Sequence, residues 1–240
     1  MPAGDMRLTV VYDNTTLRDD LEPEWGFGCV VEVSGKRLLF DTGGDGEILL
    51  RNMSALGFEF PGIELLMVSH DHWDHAGGLE EVLARCPCRC FLPGSAAELG
   101  ERVRQAGFEP VMVGDEVELI PGVWSTGELE GPVREQGLVL KTAAGPVLVT
   151  GCAHPGVENM ARAVKERFGS APYLVLGGFH MRSHSAEQVD SVVGELRSLG
   201  VKRIGPCHCT GEKVIERFEQ DWGDDFLRVG CGFVLELEAE

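Results

Sequence analysis

The chain has 240 residues, 43% of them hydrophobic and 25% charged, enough apolar matter for a sizeable core and ordinary for a globular protein. Its charge is one-sided: 39 acidic against 21 basic side chains leave −18 at neutral pH, a field that repels phosphate backbones and anionic lipid surfaces. Nucleic acid and membrane are excluded as expected partners, no run of about 18 apolar residues offers a spanning helix, and a small-molecule substrate remains.

The start, Met1-Pro2-Ala3-Gly4-Asp5, lacks the basic-then-apolar order of a secretion signal. The eight cysteines are therefore expected to be reduced, in the cytoplasm. Residues 7–12 read as a strand. Residues 27–33 and 37–41 follow as a hairpin through Ser34-Gly35. Residues 46–57 have the pattern of an amphipathic helix closed by Gly57, and 63–68 that of a strand buried on both faces. A helix is predicted over 75–85, a strand over 88–92 and a helix over 95–106. Cys86, Cys88 and Cys90 are read as buried thiols rather than a second metal site, because C-x-C-x-C is too tight for a tetrahedral knuckle.

Short strands near 110–113, 117–120, 123–126, 136–142 and 146–150 come next, separated by Pro and Gly. Then follow a helix over 156–168, a strand over 173–177, a helix over 185–199, a strand over 201–205, a helix over 211–220, and strands at 226–228 and 232–237. β-rich, βαβα, β-rich, βαβα is one half-pattern stated twice. It predicts an α/β fold of two sheets packed face to face with helices outside, in a single domain over 1–240. The sequence is silent on oligomeric state.

Residues 69–75 read Ser-His-Asp-His-Trp-Asp-His, holding three of the seven histidines. Such a stretch is costly to bury and is suited to a divalent transition metal, which takes neutral imidazole and carboxylate. His70 and His72 lie in the loop after an apolar strand, while Asp74 and His75 open the next helix, so the four can serve two adjacent ions. Ala76-Gly77-Gly78 is read as letting backbone pass close to the metals. Two more histidines sit between a strand and a helix among Gly and Pro: His154 in Gly-Cys-Ala-His-Pro-Gly and His208 in Pro-Cys-His-Cys-Thr-Gly.

With these motifs the chain resembles the metallo-β-lactamase-fold superfamily over roughly residues 25–210. The match is carried by His70-Asp71-His72-Trp73-Asp74-His75, by His154 and His208 in order, and by Phe40-Asp41-Thr42-Gly43. The resemblance implies an αββα four-layer sandwich with a two-metal site. It also implies His70, His72 and His154 on one ion and Asp74, His75 and His208 on the other, with zinc expected first and manganese or iron as alternatives. Asp41 is either a residue that orients a ligand or a turn cap. Many superfamily members carry a bridging acid after the strand before the last ligand. Here that strand runs Leu174-Val175-Leu176-Gly177-Gly178-Phe179-His180 without a carboxylate. His180 stands in its place, as ligand, hydrogen-bond donor to substrate, or structural residue.

Gly-Gly-Phe-His-Met, Trp25-Gly26-Phe27-Gly28 and Arg51-Asn52-Met53 narrow the resemblance to a branch called dihydropterin ribofuranosylaminobenzene 5′-phosphate synthase-like metallohydrolases. The implied chemistry is hydrolysis by a metal-activated hydroxide, with Asp74 orienting the nucleophile and His180 donating to an oxyanion, on a small, phosphorylated or pterin-like metabolite. The alternative is the synthase itself, the same metals serving as Lewis acids and Trp25, Phe27, Trp73 and Phe179 supplying faces for a pterin ring. Iron redox chemistry and a non-enzymatic metal-bearing module are the other rivals. His184 is read as a solvated loop residue.

Overall fold

The computed structural model describes residues 5–60 and 62–240. The chain divides into two compact units, Met1–Gly114 with Gly230–Ala239, and Asp115–Val229 with Glu240. Each is built on one mixed sheet.

In the first unit β1 (Asp5–Tyr12), β2 (Gly28–Val33) and β3 (Lys36–Phe40) run antiparallel, and β3 then pairs in parallel with β4 (Leu65–Met67). β5 (Arg89–Pro93) and β6 (Val111–Val113) continue the parallel half, and the C-terminal strand Val234–Glu238 pairs outside β1. The change from antiparallel to parallel at β3 has a chain-geometry cause: parallel neighbours need a crossover, and helices supply it. α1 (Gly46–Ala55) makes the first crossover. Asp45 caps it, its carboxylate accepting the Ile48 N–H at 3.0 Å, and Ile48, Leu49 and Met53 face a core that also holds Val30, Leu39, Leu66 and Val82. α4 (Ala97–Gln105) leads from β5 into β6 and buries Leu99 and Val103 in the same core.

The helix expected over 75–85 is instead two short ones, α2 (Trp73–Ala76) and α3 (Leu79–Leu83). Gly77 and Gly78 break it by docking on the segment after β3. The Gly77 N–H donates to the Gly43 carbonyl at 2.9 Å, and the Gly78 N–H to the Thr42 hydroxyl at 3.1 Å. A Cβ on Gly77 would lie 2.3 Å from the Gly44 carbonyl oxygen. The glycine pair thus serves close backbone contact within the protein. Cys86, Cys88 and Cys90 are buried free thiols, as expected. Burial pushes the Cys86 thiol up to about 11, which keeps it protonated and unreactive.

In the second unit β7 (Val117–Ile120), β8 (Val123–Ser125), β9 (Leu138–Leu140) and β10 (Val147–Thr150) are antiparallel in sequence order. β11 (Leu174–Gly178) and β12 (Arg203–Cys207) then pair in parallel. α5 (Val157–Phe168) and α6 (Ala186–Leu199) are the crossovers, and α7 (Glu212–Trp222) follows β12. α6 opens on a full capping box between Ser185 and Gln188. Met160, Val164, Val193, Leu196, Phe218 and Trp222 share one core. β12 lies two residues later than the predicted 201–205, because its register on β11 pairs Leu174 with Arg203 and Gly178 with Cys207. Of the strand expected at 226–228 only a bridge from Phe226 to Ile204 forms. The C-terminal strand is β13 (Val234–Glu238). Among the described residues no helix is long and apolar enough to cross a membrane.

The Gly77 contact makes a direct test. Gly77→Ala is expected to lower stability by about 1–3 kcal/mol, because the new methyl meets backbone that has no room to give; a lower urea midpoint at unchanged slope would register it.

Candidate metal centre

In both units the candidate residues follow the carboxyl ends of parallel strands, where ligands collect in open α/β sheets. Asp41 follows β3 and His70 comes three residues after β4; His154, His180 and His208 follow β10, β11 and β12. The backbone there is strained. Among the described residues five that are not glycine have positive φ, and four of them are Asp41 (59°), Ala153 (57°), His180 (51°) and His208 (49°). Each such residue costs about 1–3 kcal/mol and persists only where its surroundings over-determine it.

In the first unit the Asp41 carboxylate is fully buried and organises its neighbours. Oδ1 accepts the Ser69 backbone N–H at 2.6 Å. Oδ2 accepts the Ser69 hydroxyl at 2.7 Å and lies 2.8 Å from His75 Nδ1. Asp41 thus holds the Ser69 and His75 side chains, which lie far from it in the sequence. The network also sets tautomers. An ionised carboxylate only accepts, so His75 carries its proton on Nδ1. The Ser69 hydroxyl gives its only proton to Asp41, so at 2.9 Å from His70 Nδ1 its oxygen accepts, and His70 is also protonated on Nδ1. In both rings the lone pair is left on Nε2, the arrangement that carboxylate-held metal ligands adopt.

The histidine rings are gathered: His70 lies 4.6 Å from His72 and 4.3 Å from His75, centroid to centroid. His75 Nε2 is 3.9 Å from Asp74 Oδ2. A lone pair and a carboxylate oxygen at that separation repel unless a proton or cation lies between them, and the donors are those a divalent transition ion takes. This donor set fits a metal. Trp25, read from sequence as a ring face, also braces this set. Its indole N–H donates to Asp74 Oδ2 at 2.8 Å and fixes that carboxylate. Phe27 and Phe179 are buried at 0% and 2% exposure, whereas Trp73 is 62% exposed.

In the second unit a carboxylate that sequence reading missed does the equivalent work. Glu135 is fully buried. Its Oε1 accepts the N–H groups of Gly151, Cys152 and Ala153, each at 3.0 Å, and its Oε2 that of His154 at 2.9 Å. Four donors on one carboxylate hold the loop that presents His154. No local motif marks Glu135; it is one acid at the entry to an apolar run. Cys152 was missed too, although Cys152-Ala153-His154 repeats the i, i+2 spacing of His70 and His72. Its sulfur lies within 4.8 Å of a ring nitrogen of His154 and of His208.

Close packing at the end of β11 leaves no room for a side chain at Gly178. A Cβ on Gly178 would lie 2.3 Å from the Gly151 carbonyl oxygen, 2.7 Å from Cys209 Sγ and 3.1 Å from the His208 ring. His180, next but one, is exposed, and its ring centroid is 4.3 Å from that of His154. Beside them is a cavity of about 390 Å³ lined by Pro132, His154, Phe179, His180, Met181 and His184. His184 is exposed as expected but belongs to this wall.

Two substitutions test the carboxylates. Asp41→Asn keeps the shape but turns an amide N–H₂ toward donors, and is expected to weaken metal binding about 10–100-fold in competition with a chromophoric chelator. Glu135→Gln sets an amide group against backbone N–H groups; an expected loss of about 1–3 kcal/mol, read in a denaturant titration, follows from leaving buried donors unsatisfied.

The sequence matches the metallo-β-lactamase superfamily model over residues 29–208. It is 29% identical to the 7,8-dihydropterin-6-methyl-4-(β-D-ribofuranosyl)-aminobenzene-5′-phosphate synthase of Methanocaldococcus jannaschii, over 90% of this chain and 92% of that protein. An uncharacterised protein of the same organism is 25% identical over 89% and 94%. Among solved structures, Tm1679, a metal-dependent hydrolase of the β-lactamase superfamily, superposes with a TM-score of 0.79 at 28% identity, covering 97% of this chain and 99% of that one. A diphosphatase of the PhnP family shares the fold at a TM-score of 0.67 and 16% identity, over 98% of each chain. With the family model spanning three quarters of its length and two mixed sheets of the matching type, the chain belongs to the metallo-β-lactamase superfamily and has its α/β fold.

Proposed function

We propose that this enzyme is a metal-dependent hydrolase of a small metabolite, with His70, His72 and His154 as ligands of one divalent ion and Asp74, His75 and His208 as ligands of a second, zinc in the first instance. The observation that carries the reading is the Asp41–Ser69–His70 and Asp41–His75 network, which leaves the lone pairs of both rings on Nε2, that of His75 3.9 Å from Asp74 Oδ2. The family model running from 29 to 208, through both units, supports treating residues 1–240 as one catalytic domain. When bound, such ions acidify water toward neutral pH and act as Lewis acids on substrate oxygens.

The side chains divide the remaining work. Asp74, held through Oδ2 by the Trp25 indole, ligates and orients the attacking nucleophile. His180, on the exposed wall of the cavity, donates a hydrogen bond to the oxygen on which charge develops. Segment 179–184 supplies much of that wall, so substrate choice belongs to it. Eight free thiols suit a reducing compartment, which supports a cytoplasmic location. The charge of −18 supports a small-molecule substrate and neither nucleic acid nor membrane as partner.

The second reading is a synthase that joins a pterin to a phosphoribosyl-aniline. The similarity to the archaeal synthase over nine tenths of this chain favours it, and the exposed Trp73 ring is a surface on which a pterin could stack. A panel of phosphodiesters, phosphomonoesters, lactones and thioesters, run beside the pterin condensation, separates the two: turnover of an ester supports the hydrolase, and condensation alone overturns it. His72→Ala is expected to abolish whichever turnover is found and to lower metal content; full activity with unchanged metal would reject the ligand assignment.

A further inference from the structure

The ligands proposed for the two ions leave out three donors of the second unit. Cys152 Sγ, Cys209 Sγ and a ring nitrogen of His180 all lie within 4.8 Å of one another. Bonds of about 2.0–2.3 Å at a tetrahedral angle separate donors by about 3.3–3.8 Å, so a set already gathered this closely reaches that geometry by side-chain rotation. The two sulfurs are buried, at 2% and 5% exposure, and His180 is exposed, which gives an ion a way in.

The surroundings suit thiolates. The His180 backbone N–H points at Cys209 Sγ at 3.3 Å, and hydrogen bonds to ligating sulfur are a recurrent feature of metal–thiolate sites. The left-handed backbone of His180, φ 51°, is a strain retained at the residue that brings the imidazole beside the sulfurs. Loop 151–154 is held by Glu135 and β11 packs against it at Gly178, so Cys152 and Cys209 are fixed by backbone rather than by each other. Two sulfurs and one imidazole are a soft donor set, unlike the mixed nitrogen and oxygen set of the first unit, and soft sets select Zn²⁺, Cd²⁺ or Cu⁺.

The geometry points to a second kind of metal site, in which Cys152, Cys209 and His180 hold one thiophilic d¹⁰ ion with a fourth position open. Two thiol protons leave for each ion bound. The ion and a substrate oxygen compete for the His180 ring, so such an ion inhibits turnover; this consequence alone rests on the role proposed for His180 in turnover, and the site itself does not.

The test is a titration of the full-length protein, as purified, with Cd²⁺ alone, followed by the ultraviolet thiolate-to-cadmium charge-transfer band and by dichroism as a check on folding. The expected result is a band of two-thiolate intensity per ion that falls to half or less in Cys152→Ser and in Cys209→Ser. Cys86→Ser is expected to leave it intact. Because either buried-cysteine variant can misfold, His180→Ala supplies an independent reading: the band survives, and cadmium binds about 10–100-fold more weakly, a cost at least that of losing a hydrogen-bond partner of a ligand. A band lost in Cys152→Ser but indifferent to Cys209→Ser and His180→Ala would assign that sulfur to the histidine-bound ions and overturn the site. No thiolate band at all would overturn it as well. Neither outcome depends on any substrate being turned over.

Discussion

A buried carboxylate without partners is among the most costly groups a fold can contain. Two of the carboxylates buried in this protein, Asp41 and Glu135, are at 0% exposure, and each holds a histidine-bearing loop in place. Asp41 takes three hydrogens from Ser69 and His75; Glu135 takes four backbone N–H groups from Gly151 to His154. The chemistry of the two is complementary. Asp41 acts on side chains and so decides on which nitrogen His70 and His75 carry their protons. Glu135 acts on backbone and so decides where His154 and Cys152 stand. The hydrogen bonds gathered on each carboxylate are those of a support for its loop.

Strain and sheet topology act together in the same places. Each sheet is antiparallel on one side and parallel on the other, and the parallel strands must be followed by loops that lead into crossover helices. Those loops carry Asp41, Ala153, His180 and His208 in left-handed backbone. Conformations of that kind re-aim a side chain sharply at a strand end, and the hydrogen bonds around Asp41 and Glu135 offset their cost. Crowding at the end of β11 belongs to the same arrangement, since Gly178 already touches the loop after β10.

Membership of the superfamily fixes a fold and a donor pattern, while function lies in the site built upon them. In this chain the particulars are the indole of Trp25 on Asp74, the cavity walled by segment 179–184 and the sulfurs flanking the later histidines. The last of these gives the second unit a donor set softer than that of the first, a difference that follows from residue type alone.

Much of the fold was legible in the sequence because it rests on local chemistry. The Ser34-Gly35 hairpin, the α1 helix ending near Gly57 and the apolar run into His70 each follow from turn residues or periodicity. So does the cluster at 70–75, whose residue types have few other uses. What the sequence left open depended on groups far apart in the chain. The helix over 75–85 breaks because Gly77 docks on Gly43, and β12 slides because its register is set by β11. Asp41 is distinguished from a turn cap only by Ser69 and His75, roughly thirty residues away. Glu135 reads as an ordinary surface acid until the loop sixteen to nineteen residues later closes over it. Propensity and spacing act over a few residues, whereas the satisfaction of a buried charge is settled only when the chain has folded back upon it.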